Sequence, residues 1–262
     1  MRDGEQLSFH DLLVRWTFGE TKARKISWQA WEMLECSVKF AKILFPKARL
    51  VICANNLSPS VQATLSGIST MNEVELLDTT DCLKENLQND KVKNSWWKYA
   101  PPRLDSSKYE IILDNDVILW KMPPTLLSSI REGALVALSD AAGRYYGDFF
   151  NEVDAYDQGL CLNAGLIGMP PGFSMDFNAL DNIQLTDFFH SEQGFTALNF
   201  ARYKGGKNLI SLKEVAQLNT MDIEPQLLLS EYSGGHFCGC SFAHYSFWEK
   251  KYRDPIKQKL TS

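Results

Sequence analysis

One short segment constrains this chain more than any other. An apolar run of strand type, Tyr109-Glu110-Ile111-Ile112-Leu113, stops abruptly at Asp114-Asn115-Asp116, and a second apolar run, Val117-Ile118-Leu119-Trp120, follows at once. A carboxylate placed between two buried runs is costly unless a cation, a proton or a basic neighbour neutralises it. Two acids one residue apart can face a single divalent ion whose other positions water or phosphate oxygens fill. The segment therefore points to metal-assisted chemistry on a phosphate-bearing substrate. Asp-Asn-Asp is also an ordinary turn sequence; the apolar flanks and the landmarks further along the chain argue against a plain turn.

Upstream, strand and helix patterns alternate. Leu12 to Gly19 reads as a first strand ending in a glycine turn. Ser27 predicts the N-cap of a helix with Trp28, Trp31, Leu34, Val38, Ala41 and Leu44 on its apolar face, stopping before Pro46. Arg49 to Ala54 is a continuous apolar run of the buried parallel-strand kind, ended by Asn55-Asn56, and Pro59 opens a short helix through Leu65. Glu73 to Leu77 predicts a third strand. Thr79 to Ser107 is polar and irregular, with Trp96, Trp97 and Pro101-Pro102 at its centre. This βαβαβ order predicts a parallel sheet with right-handed crossovers. Ligands of such sheets bind outside the carboxyl ends of the strands, which is where Asp114 and Asp116 stand.

The second half predicts strands at Ala134–Leu138 and Leu160–Gly168, separated by a polar aromatic loop (Tyr145, Tyr146, Phe149, Phe150), then a helix from Ser191 to Tyr203. The tail after Ser233 is rich in Gly, Cys, His and aromatics. No repeat, low-complexity stretch or linker divides the chain, so a single unit over 1–262 is expected. At 262 residues and 45% apolar composition it can bury a sizeable core. A net charge of −5 argues against a general nucleic-acid binder. No apolar run is long enough to span a bilayer, and the acidic, polar N-terminus does not read as a secretory signal. A cytoplasmic protein, free or peripheral to a membrane, is the expectation. Most of the six cysteines lie in apolar runs and read as small buried hydrophobes of a reducing compartment.

Several landmarks then fall in a meaningful order. Pro102-Arg103-Leu104 precedes the acidic strand, Asp114-Asn115-Asp116 has the Asp-x-Asp form, and Leu162-Asn163-Ala164-Gly165-Leu166 carries Asn-Ala-Gly. Glu192-Gln193 is followed by Leu198-Asn199, and His236-Phe237-Cys238-Gly239 has the form His-x-x-Gly. In this the chain resembles nucleotide-sugar glycosyltransferases of the GT-A fold, nearest to the glycogenin-like and bacterial galactosyltransferase-like group. The resemblance implies an α/β fold with a Rossmann-like mixed, mostly parallel sheet flanked by helices. Residues from about 10 to 120 would form the nucleotide half, and about 121 to 262 the donor-sugar and acceptor half. It also implies a nucleotide-sugar donor, with UDP as carrier, and an acceptor that is a saccharide, lipid or protein.

The implied roles follow the landmarks. Asp114, Asp116 and His236 would hold Mn²⁺ or Mg²⁺, the imidazole favouring Mn²⁺. Arg103 and Lys98 would clamp diphosphate or sugar oxygens. Thr17, Phe18, Gly19 and Asn55 would flank base and ribose, with Asn115 and Gly239 also on the donor. Asn163, Ala164 and Gly165 would line the sugar, with Glu192 and Gln193 near its anomeric carbon. Glu192 could act as base in an inverting displacement, or Gln193 could sit beneath the ring in a retaining one. The chain departs from the related enzymes where their Lys-Pro-Trp follows His-x-x-Gly: here Cys240-Ser241-Phe242 stands, and His244 or Lys250 would replace the lysine. Other readings compete. A haloacid-dehalogenase-type phosphatase also ends a strand in Asp-x-Asp, but normally its first strand. A non-catalytic binding module could keep the fold. His236, Cys238, Cys240 and His244 could be a zinc cluster, although Cys-x-Cys is tighter than the usual spacing.

Overall fold

The computed structural model describes residues 11–20, 26–82, 96–181, 183–238 and 248–261. β1 (Leu12–Gly19), β2 (Arg49–Asn55), β3 (Glu75–Asp78), β4 (Tyr109–Leu113), β6 (Leu135–Ser139), β7 (Leu162–Met169) and β8 (Lys207–Ile210) form one sheet in the order β3-β2-β1-β4-β7-β6-β8. β7 runs antiparallel to both β4 and β6, whereas the other pairings are parallel. Continuous apolar runs make these strands because both faces are covered. On one face Leu12, Val14 and Trp16 of β1 pack with Leu34 and Val38 of α1 (Trp28–Leu44) and Leu65 of α2 (Pro59–Asn72). On the other, Ala164 and Ile167 of β7 pack with Phe195 and Leu198 of α5 (Phe188–Arg202) and Val153 of α4 (Phe150–Tyr156). Remaining helices are α3 (Pro124–Glu132), α6 (Pro225–Glu231) and α7 (Arg253–Thr261).

Local chemistry accounts for most element ends. Ser27 caps α1 by accepting from the Ala30 amide at 3.3 Å. α2 runs past Leu65 to Asn72 because nothing interrupts it until Glu73 turns left-handed at φ 55°. The third strand accordingly begins at Glu75, two residues later than the sequence predicts. The aromatic loop is partly helical, Phe150–Tyr156 forming α4.

A smaller sheet, β5 (Val117–Leu119), β10 (Gly234–His236) and β9 (Val215–Gln217), closes the carboxyl edge. β5 follows β4 directly and pairs antiparallel with β10, setting His236 opposite Val117. A Cβ on Gly234 would lie 2.5 Å from Leu119 Cδ2 and 2.7 Å from the Ile118 carbonyl, so only glycine lets β10 dock there. Ser37 of α1 ties the sheets together, donating to the Val117 carbonyl at 2.6 Å and accepting from Trp16 Nε1 at 2.9 Å. Among the described residues no helix is long and apolar enough to cross a membrane.

Candidate active site

The carboxyl end of β4 is where distant segments converge. The Asp114 amide donates to the Gly165 carbonyl at 2.8 Å, and the Phe237 amide to the Asp116 carbonyl at 2.9 Å, so β7 and β10 are both fastened to the acidic turn. As a result Asp114, Asp116 and His236 offer three ligand atoms, all within 4.8 Å of one another. Ligands on opposite sides of one divalent ion, at about 2.0–2.4 Å each, stand about 4–5 Å apart, so the set fits a single ion of this class. His236 Nε2 lies 3.5 Å from Asp116 Oδ1, while its buried Nδ1 has no hydrogen-bond partner among the described residues. Gly165 is required by this packing: a Cβ there would sit 2.5 Å from His236 Cε1.

The strand that resembles Asn-Ala-Gly owes its shape to a bulge. β6 and β7 pair regularly through Ala137↔Ile167 and then jump to Leu138↔Asn163, lifting Ala164, Gly165 and Leu166 off the β6 ladder. Bulges re-aim backbone groups in this way. The freed Ala164 carbonyl accepts from Lys98 Nζ at 3.1 Å. Lys98 also reaches Asp114 Oδ1 at 2.9 Å and Glu192 Oε1 at 3.1 Å. Its three donors are thus all engaged inside the protein, holding two carboxylates rather than reaching out as a free clamp. Burial opposes its charge, but Asp114 and Glu192 more than compensate and raise its pKa.

The two motif acids diverge. Burial pushes Asp114 up, with Lys98 resisting and Asp116 adding to the rise. Burial also works against Asp116, yet the hydrogen bond and charge of His236 hold it below the ordinary value. Burial opposes the charge of His236, but Cys238 and Asp116 keep it well above an ordinary imidazole. Glu192 is raised by burial, is almost closed off from solvent, and accepts from Tyr99 Oη at 2.9 Å.

Asp140, absent from the sequence-predicted set, organises the other half of the site. Its Oδ2 accepts from Gln193 Nε2 at 3.0 Å and Asn163 Nδ2 at 3.4 Å, and its Oδ1 from Gln217 Nε2 at 3.3 Å. Asn163 Oδ1 in turn accepts from the Gly165 amide at 2.9 Å. Asp140 follows an apolar strand, Leu135–Ser139, as Asp114 follows β4, and that shared position was the signal to find it. Tyr99 was hidden in a stretch whose sequence shows no periodicity.

Thr17, Phe18, Gly19 and Asn55 end β1 and β2 on the same edge of the sheet. Phe18 packs on Trp31 at 4.6 Å, and a Cβ on Gly19 would strike Trp97 at 2.2 Å. Thr17 Oγ1 and Asn55 Nδ2 are buried without a hydrogen-bond partner among the described residues. Asn115 lies half-buried in the turn between β4 and β5. Arg103 is not brought to the site. It sits at the opposite end of β4, donating to the carbonyls of Asp105, Lys108, Pro170 and Phe173 and pairing with Glu110 at 3.3 Å. Five neighbouring oxygens have captured a guanidinium that the sequence reading assigned to phosphate. Lys250 is exposed on the turn Trp248–Tyr252, and Gly239, Cys240 and His244 lie outside the described residues.

The sequence matches no protein-family model, and no curated protein is significantly similar to it. Solved structures do match in shape. The galactosyltransferase LgtC, in complex with donor and acceptor sugar analogues, aligns over 95% of this chain and 96% of its own at TM-score 0.52 and 12% identity. Mouse xyloside xylosyltransferase 1 aligns over 89% and 99% at TM-score 0.53 and 11% identity. The glycosyltransferase GlyE of Streptococcus pneumoniae aligns over 95% and 63% at TM-score 0.54 and 10% identity. The chain has the fold of these transferases. In that fold β4 is the fourth strand in chain order, not the first, which removes the topological basis for the phosphatase reading.

Proposed function

We propose that this protein is a metal-dependent glycosyltransferase, moving a sugar from a UDP-type nucleotide-sugar donor to a saccharide, lipid or protein acceptor. The observation that carries the reading is the Asp114, Asp116 and His236 set at the carboxyl edge of a transferase-like fold. Motif order further favours the glycogenin-like and bacterial galactosyltransferase-like group, with residues of about 10–120 serving the nucleotide and about 121–262 the sugars. A bound Mn²⁺ or Mg²⁺ would act as a Lewis acid on the diphosphate leaving group.

The chain's own residues do the rest. Thr17 Oγ1 and Asn55 Nδ2 have no hydrogen-bond partner among the described residues; the hydroxyl could donate to or accept from base or ribose, and the amide nitrogen could donate. Lys98 holds Asp114 and Glu192 in place and limits their mutual repulsion. Gln193, Asn163 and Asp140 form one hydrogen-bonded cluster suited to sugar hydroxyls, beside the small Ala164 and Gly165. Glu192, already bound to Lys98 and Tyr99, is a poorer base than its sequence position suggests, which favours Gln193 as the group nearest the anomeric carbon.

A thermal-shift panel of nucleotide sugars with and without Mn²⁺ tests this. A donor at a hundred times its dissociation constant should add about 2.7 kcal/mol of stability, and only with the ion. Stabilisation by no nucleotide sugar, together with Mn²⁺-dependent hydrolysis of p-nitrophenyl phosphate, would overturn the proposal.

A further inference from the structure

Just past β6, Asp140 accepts from four N–H groups and pairs with no cation among the described residues. Its Oδ1 takes the Ala142 amide at 2.8 Å and Gln217 Nε2 at 3.3 Å. Its Oδ2 takes Gln193 Nε2 at 3.0 Å and Asn163 Nδ2 at 3.4 Å. The Ala142 bond is a local turn contact. Gln217 supplies the tertiary one, so a single carboxylate links β9 of the smaller sheet to α5.

Both ends of this link have a forced orientation. Gln217 is 3% exposed, stands beside His236 across the β9–β10 pairing, and its Oε1 accepts the Ala141 amide at 2.7 Å. With its oxygen on a donor and its nitrogen on an acceptor, that amide has one possible flip. Gln193 is half-buried, and its Nε2 faces Asp140 Oδ2 and, at 3.3 Å, the Tyr145 carbonyl. Both neighbours are acceptors, so Nε2 points to them and Oε1 is the edge turned away. Bonding to a carboxylate also polarises the amide and adds negative character to Oε1.

We propose that Gln217 is a positioning residue: acting through Asp140, it holds the Gln193 amide with its oxygen toward the substrate. This rests on the transferase reading, in which Gln193 stands nearest the anomeric carbon. Positive charge develops on a sugar ring as its glycosidic bond breaks. An amide oxygen there stabilises that charge, whereas a flipped amide would oppose it with N–H groups.

Side-chain NMR of the full-length ¹⁵N-labelled protein, combined with donor turnover, tests this. The Nε2 proton signals of Gln193 are assigned by their loss in Gln193→Glu. In the wild type the proton bonded to Asp140 should stand downfield of those of solvated glutamines. Gln217→Met keeps the length of the side chain without its hydrogen-bonding groups. Gln217→Asn keeps the amide but is one methylene too short to span Ala141 and Asp140. Either variant should return the Gln193 signal toward the solvated position. With Mn²⁺ and UDP-galactose or UDP-glucose, kcat for sugar release should fall about tenfold, part of the roughly hundredfold that a 1 Å misplacement can cost. KM should change by less than about threefold, the pattern of an interaction made in the transition state. A Gln217 that served only packing would lower Tm and leave the Gln193 signals in place. Absence of the downfield signal, unmoved signals in a folded variant, or wild-type kcat in a variant whose signals have moved would each overturn the proposal. Release of sugar from neither donor by the wild type would count against the transferase reading, while the Gln193 signals still decide whether Gln217 sets the amide.

Discussion

The two ends of β4 carry acids of opposite character. At the amino end Glu110 is fully buried, paired with Arg15 at 3.0 Å and Arg103 at 3.3 Å, and accepts the Leu104 amide at 2.9 Å. Arg15 spends its remaining donors on the carbonyls of Pro101 and Pro102. That end holds one carboxylate against two guanidiniums. At the carboxyl end Asp114, Asp116 and Glu192 face one ammonium, Lys98, and one imidazole, His236. The Asp114 side chain remains 31% exposed there. One end is closed and neutralised by the chain itself; the other carries excess negative charge and stays open to solvent. Identical carboxylate chemistry thus serves cohesion at one end and, on the proposed function, offers ligands to a cation at the other.

The largest effect should come from Asp116→Asn. Loss of a proposed ion ligand is expected to weaken Mn²⁺·UDP binding by at least about a hundredfold by calorimetry, while Tm falls only slightly, the lost pairing with His236 being partly offset by relief of the repulsion on Asp114. A fall in Tm comparable to that of a broken core ion pair would make both ends structural and erase the distinction. Next comes Glu110→Gln, which strands two buried guanidiniums. Breaking such a pair costs about 3–5 kcal/mol, a Tm drop of roughly 6–20 °C for a domain this size. Mn²⁺·UDP affinity should persist at temperatures where the variant is folded; a large loss would couple the ends.

How much of this contrast the sequence displayed depends on the distance over which each contact acts. Apolar runs, the Ser27 cap and the Asp-x-Asp turn are local, and the structure has them where periodicity puts them. His236 was marked by a motif, but its delivery to Asp116 depends on the β5–β10 pairing, which no local pattern encodes. The β7 bulge and the reversed direction of β7 are likewise products of tertiary pairing. Arg103 was misassigned because a sequence shows a charge without its direction. Asp140 was passed over because a single acid after a strand is common, and its partners Asn163, Gln193 and Gln217 come from three separate elements.

A third experiment uses protons to separate the acids at the open end. Asp114, raised chiefly by burial, stabilises the ion-free fold fully below the ordinary carboxylate pKa, and this contribution fades as pH rises through its raised value. Asp116, held low by His236 against the effect of burial, contributes above the ordinary value and loses that contribution as pH falls through its lowered one. Ion binding needs both ionised and His236 unprotonated, so protons compete with the metal. Stabilisation by Mn²⁺·UDP, about 2.7 kcal/mol at a hundred times the dissociation constant, should be fullest above neutrality and shrink as pH falls through the raised value of His236 and then that of Asp114, down to about pH 5. A Tm shift that stays constant over that range would mean the ion does not use these groups.

The smallest effects come from a matched pair of methyl groups on β7, the strand that borders both ends of β4. Leu166 pairs with Leu113 near the open end, and Gly168 with Ile111 toward the closed one. In Gly168→Ala the new Cβ would meet Val136 Cγ1 at 2.6 Å and Tyr109 Oη at 2.8 Å, both within the packed interior. Overpacking of this kind costs about 1–3 kcal/mol, expected here as a lower Tm with Mn²⁺·UDP affinity retained. In Gly165→Ala the clash is with His236 Cε1 at 2.5 Å and Nε2 at 2.9 Å, so the strain falls on a proposed ion ligand. The clash is with the end of one side chain rather than with packed core on both sides, so a shift of the imidazole moderates the stability loss but displaces its nitrogen from the three-atom set. Affinity should then fall about tenfold, the equivalent of 1.4 kcal/mol, with a smaller change in Tm than Gly168→Ala produces. If the two variants instead lose stability and affinity in the same proportion, β4 is one rigid unit and its ends do not divide the work.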